Sequence, residues 1–140
     1  MTPSGRGLVC RILAVTVSVG LSVSLVGCAS IGPVTPVAVS DVKSVSGKWQ
    51  GIVYVPGSER DDVTLTIRDD GSYDVVSKRG LGVSSGSGHI VVADGRLVIE
   101  GERGRGAGTV LRNPAGEVLM KVDMTLSDNR NLSAELWRTR

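Results

Sequence analysis

Residues 63–75, VTLTIRDDGSYDV, carry the pattern that decides the fold of this chain. Val63, Leu65 and Ile67 alternate with polar residues, which is the pattern of a strand that buries one face only. The turn sequence DDGS follows, and a second alternating run begins at Tyr73. The stretch therefore predicts two antiparallel strands joined by a tight hairpin turn.

Short alternating runs separated by turn residues continue to the C-terminus. Asp94 and Gly95 separate the runs 89–92 and 96–100, and Asp-Gly between apolar runs is a strong hairpin signal because glycine accepts positive φ. Two further turn sequences are NPAG at 113–116 and SDNR at 127–130. With an opening strand at 48–55 and a last strand at 132–138, the pattern predicts about eight strands.

The predicted fold class is all-β, because no window outside the N-terminal segment has a helical period. Short hairpins between successive strands favour an antiparallel meander, and such a meander avoids exposed edges best by closing into a barrel. Two glycine-rich segments, 78–88 and 101–108, are expected to be longer loops at the rim of this barrel. Arg103 and Arg105 in the second segment would meet phosphate or carboxylate groups, and the alternative is a solvated loop.

The N-terminal segment has the organisation of an export signal. Arg6 and Arg11 are its only charges, and the uncharged stretch 12–26 follows them. This length fits the h-region of a signal peptide, about 7–15 residues, and is shorter than the ~20 residues that span a bilayer. We therefore expect residues 1–27 to be a cleaved signal peptide.

The residues Leu25, Val26, Gly27 and Cys28 resemble the lipobox of bacterial lipoproteins. The resemblance implies that the mature chain begins at Cys28 and carries a thioether-linked diacylglycerol, usually with an N-acyl chain such as palmitate. The implied location is the cell envelope, and Ala29 in place of aspartate suggests the outer membrane if the organism has two membranes. The alternative is an ordinary secretory signal with an incidental cysteine.

The mature chain is expected to have no net charge and no disulfide. Of the 16 Lys and Arg residues, the two in the signal are removed, and the remaining 14 equal the 14 Asp and Glu. Nucleic acid binding by bulk charge is therefore excluded. Cys10 also lies in the signal and Cys28 would be alkylated, so no thiol remains for a disulfide or a metal site.

We expect two parts after the signal. Residues 28–45 contain Pro33 and Pro36 and no structural period, which predicts a lipid-anchored flexible linker. Residues 46–140 form one small β-barrel domain, whose core must be built from Val, Leu and Ile because the chain has no Phe.

The two ends of this domain resemble those of lipocalin-like barrels. Gly47 and Trp49 open the first strand, and Arg138 ends the last one. In that family a Gly-x-Trp packs at the closed end and an arginine from the last strand lies across the indole, where a cation–π contact stabilises the barrel base. The resemblance implies a module that binds a small apolar ligand or lipid. A solid barrel filled by its own side chains remains the alternative.

Candidate residues for catalysis are few. His89 is the single histidine, and it lies close in sequence to the serines at 84–87, but no Gly-x-Ser-x-Gly elbow is present. The run DGSYD at 70–74 is interpreted as a turn, because it lacks the remaining ligands of a calcium loop. We expect no enzyme activity, no cofactor and no metal, and His89 is kept as a candidate binding residue at the rim.

The second functional hypothesis is a protein-interaction module, either an inhibitor or an accessory subunit of an envelope complex.

Overall fold

The computed structural model describes residues 32–140. The predicted signal peptide and the lipidation residue Cys28 lie outside the described residues. The described part consists of one short 3-10 helix, Val42–Val45, and nine strands. The strands are β1 (Thr35–Val37), β2 (Gly47–Tyr54), β3 (Asp61–Ile67), β4 (Ser72–Arg79), β5 (Gly82–Ala93), β6 (Arg96–Gly101), β7 (Gly104–Arg112), β8 (Val118–Leu126) and β9 (Asn131–Arg138).

Strands β2 to β9 form a closed eight-stranded antiparallel barrel. Each strand pairs with the next one along the chain, and β9 pairs back with β2 in a register that runs from Trp49 opposite Arg138 to Tyr54 opposite Ser133. This closure gives each barrel strand a paired neighbour on both sides. The predicted all-β class, the meander order and the closed barrel are confirmed.

The turns have the chemistry that the sequence predicts. Asp94 and Gly95 have φ values of 51° and 75°, so both central residues of the β5–β6 turn are in the left-handed region, as a type I′ turn requires. At the β3–β4 turn, the Asp70 side chain accepts a hydrogen bond from the backbone N–H of Ser72 at 2.9 Å. Residues 70–74 therefore form a hairpin turn and the start of a strand.

The glycine-rich segments 78–88 and 101–108 are strands, so the prediction of longer loops there is wrong. Only Gly80 and Leu81 lie between β4 and β5, and only Glu102 and Arg103 lie between β6 and β7. Glycine has a low intrinsic preference for strands, but residues 82–88 pair with β4, and residues 104–108 pair with both β6 and β8. The pairing, which is a tertiary property, decides the conformation.

Residues 33–45 differ from the expected flexible linker. Strand β1 pairs with the end of β7, and the backbone N–H of Val39 donates to the carbonyl of Gly95 at 3.0 Å. Val39 and Val45 are both buried in the core. This segment packs against one end of the barrel because its valines bury apolar surface there, so the folded part begins before residue 46.

The two ends of the barrel differ. We call the end that contains Trp49, Arg138 and the 3-10 helix the closed end. We call the opposite end the mouth; it is formed by the turns at 55–60, 80–81, 102–103 and 127–130.

Within residues 32–140, no helix has both the length and the apolar character needed to cross a membrane.

Candidate ligand-binding cavity

The closed end is plugged by Trp49. Its side chain is completely buried, and the indole N–H donates to the carbonyl of Val45 at 2.9 Å. The Arg138 guanidinium lies 5.6 Å from the centre of the indole ring, within the distance of a cation–π contact. Arg138 also donates to the carbonyls of Ser44 and Ser46, at 3.1 and 2.6 Å. The structure thus brings Trp49 and Arg138 together, as the resemblance implies.

Gly47 begins this base. Its φ of 121° lies in a region that L side chains rarely adopt, and a Cβ there would lie 3.7 Å from an Nη atom of Arg138. The segment before it contains the 3-10 helix and the carbonyls that accept hydrogen bonds from Arg138 and Trp49. Its prolines are typical of a linker, so the sequence pattern does not predict this role. The spacing of Val37, Val39 and Val45 was the available signal of burial.

Above this base the barrel holds a cavity of about 660 Å³. It reaches from the buried side chains of Leu65, Ile90 and Leu136 to the turns of the mouth. The walls are mainly apolar, and they include Val53, Val63, Tyr73, Val75, Ile99, Val122, Met124, Leu126, Leu132 and Ala134. A volume within the roughly 300–1,000 Å³ of small-molecule sites, with apolar walls and one open end, is the geometry of a ligand pocket.

The packing of the Tyr73 ring requires two glycines that lie opposite each other in the barrel wall. Gly88 of β5 pairs with Gly101 of β6, and Tyr73 of β4 pairs with Gly88. A Cβ on Gly88 would lie 2.7 Å from Cε1 of Tyr73, and a Cβ on Gly101 would lie 2.2 Å from its hydroxyl oxygen. The tyrosine ring therefore occupies the space that side chains at both positions would need. Burial raises the pKa of the Tyr73 phenol, and the negative charge of Glu102 raises it further.

Charged groups line the mouth of the cavity, whereas the side chains around its inner part are apolar. The Asp61 carboxylate is only 15% exposed and pairs with Arg79, while the Ser77 hydroxyl donates to it at 3.1 Å. The hydrogen bond from Arg79 holds the pKa of Asp61 below its usual value, against an opposing effect of burial. Because Asp61 and Arg79 neutralise each other, this pair forms one neutral side of the entrance.

A second pair closes another part of the rim. The Arg130 guanidinium donates to the Asp128 carboxylate at 2.7 Å, and this lowers the pKa of Asp128. Both residues line the cavity and both are largely exposed. Such an exposed pair contributes little to stability, but it leaves Arg130 with a bound counter-ion.

Arg103 is the third arginine that lines the mouth. Its Nη1 donates to the Ser84 hydroxyl at 2.7 Å, and its side chain passes within about 4 Å of the position that a Cβ on Gly86 would occupy. Ser84 and Gly86 both line the cavity. The arginine side chain therefore lies along the wall at the entrance, beside Gly86.

The other two candidate rim residues lie elsewhere. Arg105 is exposed and lies on the outer face of β7, opposite Glu100 and Thr125. Side chains alternate between the two faces of a strand, and the buried Val110, five residues later, points into the barrel. His89 is exposed on the outer face of β5 beside Gly71, toward the closed end. The structure brings Arg103 to the mouth and places Arg105 and His89 outside the cavity, so the prediction of rim positions is wrong for these two.

No metal or cofactor set is evident in the part of the chain that the structure describes. Across residues 32–140, no three His, Cys, Asp or Glu side chains come together in a way that would hold a metal ion. The serines at 84–87 lie on the β5 wall, with Ser84 hydrogen-bonded to Arg103. What the cavity can do chemically is to bury apolar surface and to place hydrogen-bond donors at its entrance.

No protein-family model, no curated protein and no solved structure matches this chain. A closed eight-stranded antiparallel meander is the architecture that lipocalin-like barrels share.

Proposed function

We propose that this protein is a bacterial cell-envelope lipoprotein whose lipocalin-like barrel binds a small apolar ligand or a lipid. The single observation that carries the binding function is the apolar cavity of about 660 Å³ with one open end. Filling such a cavity removes apolar ligand surface from water, which contributes about 25 cal/mol for each Å² buried. The cavity favours a ligand-binding barrel over the solid barrel that the sequence left open.

The envelope location is supported by the N-terminal sequence. The signal-like segment and the residues 25–28 precede the folded part, and acyl chains on Cys28 would hold the protein on a membrane because two or three chains anchor stably. Mass spectrometry of the purified protein is expected to show a triacylated or diacylated Cys28 as the first residue. Cys28→Ser is expected to accumulate as uncleaved precursor, and an unmodified Cys28 in the wild type would refute the anchor.

The position of the chain entry supports a defined arrangement for an anchored barrel. Gly32 lies next to Pro114, in a turn at the closed end, since a Cβ on Gly32 would be 3.5 Å from Cγ of Pro114. Gly32 lies four positions after Cys28, and four steps of an extended chain reach at most ~14 Å. Under this proposal the closed end lies near the anchoring membrane and the mouth opens away from it.

Ligand binding can be tested with a photoreactive probe. We would reconstitute the mature full chain in nanodiscs, add a long-chain alcohol with a diazirine in its chain, irradiate, and map the adducts. Labelling is expected in the tryptic peptide 122–130, because Val122, Met124 and Leu126 line the cavity.

Two substitutions on β9 provide the matched comparison. Ala134→Phe places a ring inside the cavity, whereas Ser133→Phe places the same ring on the exposed outer face. Ala134→Phe is expected to abolish labelling of 122–130, and Ser133→Phe is expected to retain it. Wild-type protein without any adduct in the lumen, or equal labelling of both variants, would contradict a ligand-binding barrel.

A protein-interaction module is the second candidate, and exposed apolar residues at the mouth favour it. Leu81 is fully exposed at the tip of the β4–β5 hairpin, and Val83 beside it is 67% exposed. An envelope protein docking at the mouth would cover both. Pull-down from envelope extracts in mild detergent is expected to return one stoichiometric partner that Leu81→Ser with Val83→Ser loses, and a partner retained by that variant would exclude this surface.

A further inference from the structure

The three arginines that line the mouth differ in their ionic partners. Arg79 pairs with Asp61, and Arg130 pairs with Asp128. No ion pair within residues 32–140 involves Arg103, whose side-chain hydrogen bond goes to the neutral hydroxyl of Ser84. Arg103 is therefore the mouth arginine whose positive charge has no direct ionic partner among the described residues, at the entrance of a cavity with an apolar inner part.

The backbone that carries Arg103 is held on both sides. Its carbonyl accepts a hydrogen bond from the backbone N–H of Ser127 at 2.9 Å, which ties the β6–β7 turn to the β8–β9 turn. The preceding residue, Glu102, donates its N–H to the carbonyl of Ser87 at 3.1 Å. The turn is thus fastened to β5 and to the neighbouring β8–β9 hairpin, and the backbone that carries Arg103 is fixed before a ligand arrives.

We propose that Arg103 and Ser84 form an anion-binding site at the mouth, and that the ligand is an amphiphile with one acyl chain and a carboxylate or phosphate head group. This inference rests on the proposed function and names the ligand class of the same cavity. Guanidinium groups bind carboxylate and phosphate oxygens through two parallel N–H donors. The Ser84 oxygen accepts from Arg103, so its own O–H can donate to the same anion.

The apolar inner part and the charged entrance of the cavity determine the orientation in which this ligand would bind. Apolar side chains, among them Leu65, Ile90 and Leu136, form its inner part, and Arg103 and Ser84 lie at its entrance. An acyl chain would enter first, and the charged head would remain at the mouth, where water still solvates it. A neutral chain of equal length would fill the same space without the two charge-assisted hydrogen bonds.

The test compares head groups and arginine variants in the nanodisc-reconstituted full chain. Three photoreactive probes share one chain length: a fatty acid, a lysophosphatidic acid and the neutral long-chain alcohol. Each is titrated against the wild type, Arg103→Gln, Arg103→Lys and Arg105→Gln, and labelling of peptide 122–130 is measured. Arg105→Gln is the matched control because Arg105 lies on the outer face of the neighbouring strand.

In the wild type we expect half-maximal labelling by at least one anionic probe at a concentration about tenfold or more below that of the alcohol, which is the ratio that one charge-assisted hydrogen bond supplies. Arg103→Gln should remove this advantage, Arg103→Lys should keep part of it, and Arg105→Gln should leave it unchanged. The anionic probe with the larger advantage identifies the head group.

Two other outcomes separate the failure of this inference from the failure of the proposed function. If the alcohol and both anionic probes label 122–130 equally, or if Arg103→Gln keeps the anionic advantage, the anion site is wrong and the apolar ligand function stands. If no probe labels the lumen of the wild type, the proposed function itself is wrong.

Discussion

Tyr73 is the residue on which the wall and the cavity both depend. Its ring covers Gly88 and Gly101, lines the cavity, and is only 5% exposed. Tyrosine is neutral when protonated, so burial favours the protonated form and raises the pKa of Tyr73 above its ordinary value, with Glu102 adding to the effect. The folded state therefore holds this proton more tightly than the unfolded state does.

The raised pKa of Tyr73 predicts a loss of stability in alkaline solution. The contribution of Tyr73 is fully present below the unfolded pKa of about 10 and is lost as pH rises through the higher folded pKa. In urea unfolding between pH 9 and 11, Tyr73→Phe should lose less stability than the wild type. Tyr54→Phe is the control, since Tyr54 is exposed on the outer face of the barrel, and identical pH dependence in all three proteins would contradict the prediction.

Strand β5 shows how the glycines of one element divide between two roles. A Cβ on Gly88 would lie 2.2 Å from the carbonyl oxygen of Glu100 and 2.7 Å from the Tyr73 ring. A Cβ on Gly86, two residues earlier on the same face, would meet Val75 and Arg103 at ordinary distances of 3.5 Å or more. Gly88 is therefore required by close packing, whereas a methyl group at Gly86 would make ordinary van der Waals contacts.

This difference gives a matched pair of substitutions. Gly88→Ala is expected to lower the free energy of unfolding by about 1–3 kcal/mol, because backbone and ring must shift to accept the methyl group. Gly86→Ala, with the same chemical change on the same face, is expected to cost less than about 1 kcal/mol. Denaturant unfolding of both variants measures the difference, and equal effects would show that the glycines act only through strand propensity.

At the scale of the whole molecule, the barrel has one plugged end and one open end on opposite sides. The described part of the chain begins at the plugged end, where Gly32 lies close to Pro114. Strands of about eight residues at ~3.3 Å each, with a tilt of ~40°, separate the two ends by on the order of 20 Å. An anchor at Cys28 would therefore make the two ends unequal in their distance from the bilayer.

Fluorophores at the two ends test this orientation. Leu81→Cys labels the mouth and Ala115→Cys labels an exposed turn at the closed end; under the proposed processing, Cys10 is removed and Cys28 is acylated, so each variant has one free thiol. In liposomes with a quencher on the lipid head group, the fluorophore at 115 should be quenched more strongly than the one at 81. Equal quenching, or stronger quenching at 81, would show that the mouth does not open away from the anchoring membrane.

The sequence by itself determined the properties that depend on neighbouring residues. Alternation at 63–67 predicted a half-buried strand, and Asp94-Gly95 predicted a hairpin with positive φ, because side-chain period and turn geometry are local. From the number of such hairpins, the all-β class and the closed meander followed. The Trp49 and Arg138 pair was also accessible from sequence, through the resemblance of the two ends to a lipocalin-like base.

Only the tertiary structure decided what the glycine-rich segments and residues 33–45 do. Their composition is that of loops and linkers, since glycine and proline disfavour regular structure when no partner is considered. Pairing across the sheet, the Tyr73 ring over Gly88, and the burial of Val39 and Val45 override that local preference. The position of Arg103 at the cavity mouth has the same origin, because it follows from strands that are distant in sequence and adjacent in the barrel.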